Sequence, residues 1–290
     1  MTAAARPDSA YLLGHSSTET DRLVLQARLY DPITEQALLT AGLRPGMRVL
    51  DVGCGAGDVT FLAAKIVGSA GSVVGVDAAP RALEVARARA LSRGGEATVT
   101  FRPMTLPDVD VDFGGRVDAV IGRLVLGHLP DPVTALRRLS RLVRPGGLIA
   151  FQDFDNFPLR VEPHIPLTGA VLQAIAAALT VNGNSLGTGV RLHGLFRRAG
   201  LAVPGLSATT PMGGAEHDTV LPLVAQTYRA LSQAALPGNA DAGDRAATIG
   251  DIDTLLNRMR TEAAETDAVV VMPTAVTAWS TLPLPEDPTT

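Results

Sequence analysis

The chain of 290 residues has a single cysteine, Cys54, which excludes an intramolecular disulfide and any multi-cysteine metal cluster. That usage agrees with a reducing compartment. Long apolar runs are also lacking: the longest, Val171–Val181 and Ala268–Val276, are about half of the roughly 20 residues a membrane-spanning helix needs, and Pro273 interrupts the second. No membrane span is expected. Met1–Ala10 holds one Arg and no continuous apolar stretch, so it does not read as a secretory leader, and a cytoplasmic protein is expected. Positive charge is in deficit, 25 Lys and Arg against 29 Asp and Glu, which disfavours a non-specific nucleic-acid binder. With 46% hydrophobic and 19% charged residues the chain is nonetheless too apolar to be disordered. Its length admits one decorated domain or two small ones.

What is present is a regular alternation. Ser16 with Glu19 forms a capping-box pattern that opens a helix toward Leu29, and Pro32 is placed to restart one, so residues 1–42 read as a helical arm. Met47–Val52 is an apolar run suited to a strand buried on both faces. Helix Val59–Val67, strand Ser72–Val76, helix Arg81–Leu91, strand Thr98–Arg102 and strand Val117–Ile121 follow. Asp131-Pro132 opens helix Val133–Val143, and Arg144-Pro145-Gly146-Gly147 ends it before strand Leu148–Phe151. Right-handed crossovers put helices on both faces of a mostly parallel sheet, so the class is doubly wound α/β. Beyond Phe151 the rhythm breaks into helices near Leu167–Val181, before Ala199-Gly200, and at about 219–235 and 252–265, with strand candidates Leu201–Thr209 and Ala268–Trp279. Residues 43–156 are expected to form the ligand-binding core. Residues 157–290 would add the remaining strands and, at 157–200 and 211–266, helical cap insertions to the same domain.

The most informative segment is Val49-Leu50-Asp51-Val52-Gly53-Cys54-Gly55-Ala56-Gly57-Asp58, a strand that runs through alternate glycines into a helix. Glycines there let the backbone pass close to a nucleoside at the carboxyl edge of the sheet. The dinucleotide fingerprint G-x-G-x-x-G requires glycine where Asp58 stands. A carboxylate at a helix start repels a pyrophosphate, so Asp58 argues for a ligand without phosphates, such as S-adenosylmethionine. Asp77 ends the second strand 26 residues after Asp51, where its carboxylate can accept from both ribose hydroxyls. Capping of the following helix is the alternative role for Asp77.

Four motifs in order, Val49–Gly57, Val74-Gly75-Val76-Asp77, Leu124-Val125-Leu126-Gly127-His128-Leu129-Pro130-Asp131-Pro132 and Leu142-Val143-Arg144-Pro145-Gly146-Gly147-Leu148, resemble those of class I S-adenosylmethionine-dependent methyltransferases. The likeness spans roughly Arg48–Phe151 and points to the small-molecule branch that includes quinone-biosynthesis and natural-product enzymes. It implies a Rossmann-like sheet with the residues matching Asp51, Gly53 and Gly55 around the methionine end of the cofactor and Asp77 on its ribose. The full cofactor set expected is Asp51, Gly53, Cys54, Gly55, Asp58, Asp77, Ala78, Met104, Thr105 and Arg123. Met104 stands where family members often have an acidic residue on the adenine, which leaves backbone groups or Asp108 for that contact. Arg123 replaces a small or polar residue and is read either as a ligand contact or as one half of a buried ion pair. Cys54 reads as a small buried residue rather than a nucleophile.

Methyl transfer is an in-line displacement and depends chiefly on alignment in a closed site. Where the acceptor must lose a proton, His128, Tyr11, His15 and Asp153 are the candidate catalytic residues. His128 could instead only orient its loop. Tyr11 and His15 would belong to an arm that closes as a lid or packs for stability, and Asp153 and Asp155 would otherwise serve a turn. No metal is expected. The arginines at 137, 138, 141 and 144 read as a solvated helix face. The apolar cap predicts a small aromatic, indolic, quinone-like or terpenoid acceptor, and disfavours protein or nucleic-acid substrates. A homo-oligomer is compatible with all of this. The competing reading is a cofactor-binding regulatory protein without turnover, and an NAD(P)-dependent reductase is opposed by Asp58 and by the lack of Y-x-x-x-K.

Overall fold

The computed structural model describes residues 17–93, 98–105, 115–156, 159–181, 187–233 and 248–284. In chain order its elements begin with α1 (Ser17–Ala41), β1 (Arg48–Val52), α2 (Asp58–Val67), β2 (Ser72–Asp77), α3 (Pro80–Ser92) and β3 (Val99–Pro103). Then come β4 (Val117–Arg123), a 3-10 turn (Leu126–His128), α4 (Pro132–Leu142), β5 (Val143–Asp155), β6 (Arg160–Glu162), α5 (Pro166–Val181) and α6 (Thr188–Arg198). The last are β7 (Gly205–Thr209), β8 (Met212–Gly213), α7 (Val220–Gln233), α8 (Leu255–Glu265), β9 (Val269–Val271) and β10 (Thr274–Thr281). They fall into two compact units, the larger comprising Ala27–Pro158, Ser185–Pro211 and Met272–Thr290.

The larger unit is a seven-stranded sheet of order β3-β2-β1-β4-β5-β10-β7. Strands β1 to β5 pair in parallel, and β10 runs antiparallel to both β5 and β7. This is the doubly wound, Rossmann-like arrangement the alternation predicts. The inner strands are near-continuous apolar runs because both of their faces are covered. On one face Val49, Ala119 and Ile121 pack with Leu38 of α1 and Val59, Ala63 and Val67 of α2. On the other, Leu50, Val52, Val120 and Ile149 pack with Leu136 and Leu139 of α4 and Leu192, Leu195 and Phe196 of α6.

The smaller unit takes Met1–Gln26, Leu159–Asn184 and Met212–Val271. Its short antiparallel sheet has the order β6-β9-β8, and α5, α7 and α8 pack together. Glu262 of α8 satisfies the start of α5, accepting from the Leu167 and Thr168 N–H groups at 2.7 and 2.9 Å and from the Thr168 hydroxyl at 2.9 Å. His217 Nδ1 accepts from the N–H groups of Thr219 and Val220 ahead of α7, at 3.1 and 3.3 Å. Helix ends need such acceptors, since their first N–H groups have no partner within the helix.

Several boundaries differ from the sequence reading; β5, for one, begins at Val143 rather than Leu148. α1 is one helix through Pro32 rather than two, although proline there withholds a donor from the preceding turn. Burial of Tyr30, Thr34, Ala37, Leu38 and Ala41 offsets that loss. The strand predicted from Leu201 starts at Gly205, after Pro204. The apolar run Ala268–Trp279 divides into β9 and β10, one in each sheet, broken where Pro273 has no N–H for a ladder. Finally α6, expected in the cap, packs against β5 and β10 in the sheet unit. Among the described residues no helix is long and apolar enough to cross a membrane.

Candidate functional site

β1 lies between β2 and β4, where connections leave the sheet in opposite directions, and such a switch point opens a crevice at the carboxyl ends of the strands. The loop that follows β1 fills it. Gly53, Gly55 and Gly57 have φ of +66°, +54° and +88°, values that favour glycine. A Cβ on Gly53 would lie 2.7 Å from Val125 Cγ2, and one on Gly57 would lie 2.9 Å from the rings of Phe61 and Phe101. Packing therefore fixes those two. A Cβ on Gly55 would meet nothing within 4 Å, so this glycine turns an open backbone face to the crevice. A ligand that needs close approach to the main chain fits there.

Asp77, at the end of β2, braces the loop. One carboxylate oxygen accepts from Gly55 N–H at 2.8 Å and the other from Ala79 N–H at 2.8 Å. α3 begins with Ala79 as its N-cap, so Asp77 braces the helix start as well as the loop. Each carboxylate oxygen has a second lone pair for another donor. Cys54 N–H donates to Val76 O at 3.0 Å and Gly57 N–H to Cys54 O at 2.9 Å, completing a loop pinned to β2. Ala78, beside Asp77, is exposed. Met104 N–H donates to Asp77 O at 3.0 Å while its side chain packs on the core, and Thr105 is exposed.

Asp51 is buried and accepts a 2.6 Å hydrogen bond from the Thr60 hydroxyl. Burial pushes its carboxyl up to about 7; Thr60 and the Arg123 charge oppose this, while Asp77 and Asp58 add to it. Cys54 is buried, and desolvation followed by the charges of Asp51 and Asp77 drives its thiol far up, against any nucleophilic use. Asp58, the first residue of α2, forms a 2.6 Å ion pair with Arg89 of α3. This corrects the charge argument drawn from the sequence. Arg89 compensates the Asp58 carboxylate, so its repulsion of a phosphate is reduced.

A second network lies at the end of β4. Arg123 Nη1 donates to Asp31 of α1 at 2.8 Å and to the Thr34 hydroxyl at 3.0 Å, with the Arg123 side chain 7% exposed. Thr34 lies 2.7 Å from Gln152 Oε1, and Gln152 Nε2 donates to Thr277 at 2.8 Å. A cavity of ≈ 10 Å³ among these groups has the size of one water. Arg123 thus occupies the ion pair that the sequence offered as its alternative role. Burial raises the Asp31 carboxyl, with Arg123 pulling it back.

Past β4, Leu124 adopts φ of +58° and the chain turns into Leu126–His128. Gly127 N–H donates to Asp153 at 3.2 Å, and Phe154 N–H to the other oxygen of Asp153 at 2.9 Å. A Cβ on Gly127 would meet Thr188 Oγ1 at 2.9 Å, so only glycine fits between that hydroxyl and Asp153. Asp153 is buried, which pushes its carboxyl up to about 6. His128 is exposed to solvent on this turn, and partial desolvation of its ring shifts the imidazole toward its neutral form. The fold therefore brings Asp153 against the turn that carries His128. Asp155 pairs through its backbone with Gly187. Tyr11, His15 and Asp108 lie outside the described residues. Among the described residues no three His, Cys, Asp or Glu side chains are grouped as a metal site would require.

A family model described as a methyltransferase domain matches residues 43–200 of the chain. The chain belongs to this methyltransferase family. It is similar to the ubiquinone biosynthesis O-methyltransferase of Bordetella bronchiseptica, 32% identical over 46% of this chain and 59% of that protein. It is also similar to the aklanonic acid methyltransferase DauC of a Streptomyces species, 37% identical over 52% of this chain and 70% of that one. The solved YcgJ protein of Bacillus subtilis shares the fold, with a TM-score of 0.52 at 18% identity over 85% of this chain and 96% of its own. Four curated relatives are covered over 44–67% of their length. S-adenosylmethionine is the cofactor of this family.

Asp31, Thr34, Thr60, Arg89 and Gln152 entered the site unannounced by the sequence. The signals were weak: Asp31-Pro32 reads as a helix start, and Arg89 as one of several arginines on an exposed helix.

Proposed function

We propose that the protein transfers a methyl group from S-adenosylmethionine to a small, largely apolar or aromatic acceptor. The observation that carries this reading is the Gly55 backbone, open on one side and held on the other by Asp77 at the switch point of the sheet. Asp77 has lone pairs for the ribose hydroxyls, Gly53, Cys54 and Gly55 offer main chain to the methionine end, and Ala78, Met104 and Thr105 flank the adenine. Asp51, held by Thr60, and Asp58, paired with Arg89, lie at the base of the loop, while Arg123, anchored by Asp31, borders its methionine side. The relatives named for ubiquinone biosynthesis and for aklanonic acid support a quinone-like or polyketide acceptor.

When bound, the cofactor supplies a methyl carbon on a cationic sulfur. The chain's task is to hold the acceptor atom in line with that carbon and keep water out, since alignment accounts for most of the acceleration in such displacements. A hydroxyl acceptor must also lose a proton. His128 takes it, and Asp153 holds the His128 turn through Gly127 N–H.

Calorimetric titration with S-adenosylhomocysteine, with NAD as control and Asp77→Ala alongside, tests the proposal. Micromolar binding to the natural chain, lost in the variant, with labelled methyl appearing on hydroxylated aromatic acceptors, is the expected result. Binding without transfer to any acceptor would favour a regulatory protein, and binding of NAD alone would overturn the reading.

A further inference from the structure

We infer that Arg89 of α3 sets both the affinity of the glycine loop for its cofactor and the loop's preference between charged cofactor and uncharged product. Resting on the cofactor reading above, the inference makes Arg89 a positioning residue that acts through Ala56 and Asp58. Its guanidinium donates from Nη1 to the Ala56 carbonyl at 2.7 Å and from Nη2 to Asp58 Oδ1 at 2.6 Å. A planar fork with two parallel donors is the geometry that arginine provides and lysine does not. Ala56 lies between Gly55 and Gly57, the two positive-φ residues beside the open face, so slack at its carbonyl moves that face directly. The same guanidinium lies 5.5 Å over the Phe61 ring, which meets Phe101 edge-on at 5.7 Å and closes off the far side of Gly57.

The loop is therefore held twice, by Asp77 on the strand side and by Arg89 on the helix side. The second brace also carries charge. The Asp58 side chain is 16% exposed, and Asp58 and Asp77 both act electrostatically on the buried Asp51 carboxyl. Arg89 cancels one negative charge in this group. Without it, the excess negative charge favours a cationic sulfonium over the neutral thioether left after transfer, at a loop that now fits both less well. A brace with only a mechanical role would weaken the two ligands equally.

Titration of the natural chain, Arg89→Ala, Arg89→Lys and Asp58→Asn/Arg89→Ala with S-adenosylmethionine and S-adenosylhomocysteine tests this, with melting temperatures as a check on folding. In Arg89→Ala, S-adenosylhomocysteine affinity is expected to fall about tenfold, the scale of one charge-assisted hydrogen bond, and S-adenosylmethionine affinity to fall several times less. Arg89→Lys keeps the charge and loses the fork, so it should bind both ligands more weakly at an unchanged ratio. Asp58→Asn/Arg89→Ala should recover the natural ratio. Arg89→Lys also keeps the test open if Arg89→Ala does not fold. Natural-level binding in Arg89→Ala, or equal losses for both ligands with no recovery in the double variant, would overturn the inference. Failure of the natural chain itself to bind S-adenosylhomocysteine would instead overturn the cofactor reading beneath it.

Discussion

At the scale of the residue, the site concentrates carboxylates where burial makes them costly. Asp51 is 1% exposed and has one hydroxyl partner, Thr60, so its carboxyl titrates near 7. The unfolded chain releases that proton near pH 4. Between about pH 4 and 7 the folded state therefore binds more protons than the unfolded state, and stability falls as pH rises, by up to about 1.4 kcal/mol per pH unit. Above 7 the loss is complete. Asp153, which titrates near 6, adds a loss of the same sign over a narrower window. Denaturant unfolding of Asp51→Asn at pH 5 and pH 8 should show a flatter dependence, with the variant the more stable at pH 8 and weaker in binding S-adenosylhomocysteine. An unchanged slope would mean that Asp51 is ionised throughout. The glycine loop was legible at this scale because its chemistry is local: three alternate glycines after an apolar strand need no distant partner to be recognised. Asp58 was half legible, since its place in the motif is local but its partner Arg89 is 31 residues away.

At the scale of the element, α1 illustrates a tertiary gain outweighing a local rule. Pro32 reads as a helix start, and the structure runs the helix through it because Tyr30, Thr34 and Leu38 bury their side chains together. The Tyr30 hydroxyl donates to Pro273 O at 2.9 Å, its ring lies 4.5 Å from Phe154, and Arg123 ties Asp31 and Thr34 to the end of β4. Removing one partner of a largely buried pair strands the other. Arg123→Ala should cost about 2 kcal/mol, below the usual range for buried pairs because the Asp31 side chain is 30% exposed. Arg123→Met, which refills the space, should cost less in equilibrium unfolding. Equal stability of Arg123→Ala and the natural chain would show that the pair does not hold α1. No sequence pattern announces this network, because Asp31, Arg123, Gln152 and Thr277 lie on separate elements and meet only when the sheet has formed.

At the scale of the whole molecule, the chain passes repeatedly between two compact units, each with its own sheet and its own buried residues. Glu262→Ala removes the acceptor for the first turn of α5. Hydrogen exchange should quicken in α5 and α8 while β1, β4 and β5 keep their protection, and S-adenosylhomocysteine binding should persist. Faster exchange throughout both units would show that they unfold as one. The sequence by itself determined the alternation of strand and helix, the doubly wound class and the glycine loop after β1, because each depends on hydrophobic period and on backbone conformations that short stretches dictate. It did not decide that α6 joins the sheet unit, that β9 and β10 belong to different sheets, or that Arg89 and Asp31 complete the site. Those outcomes depend on which apolar faces bury one another and on which charges burial forces into pairs, and only the tertiary structure brings the partners within reach.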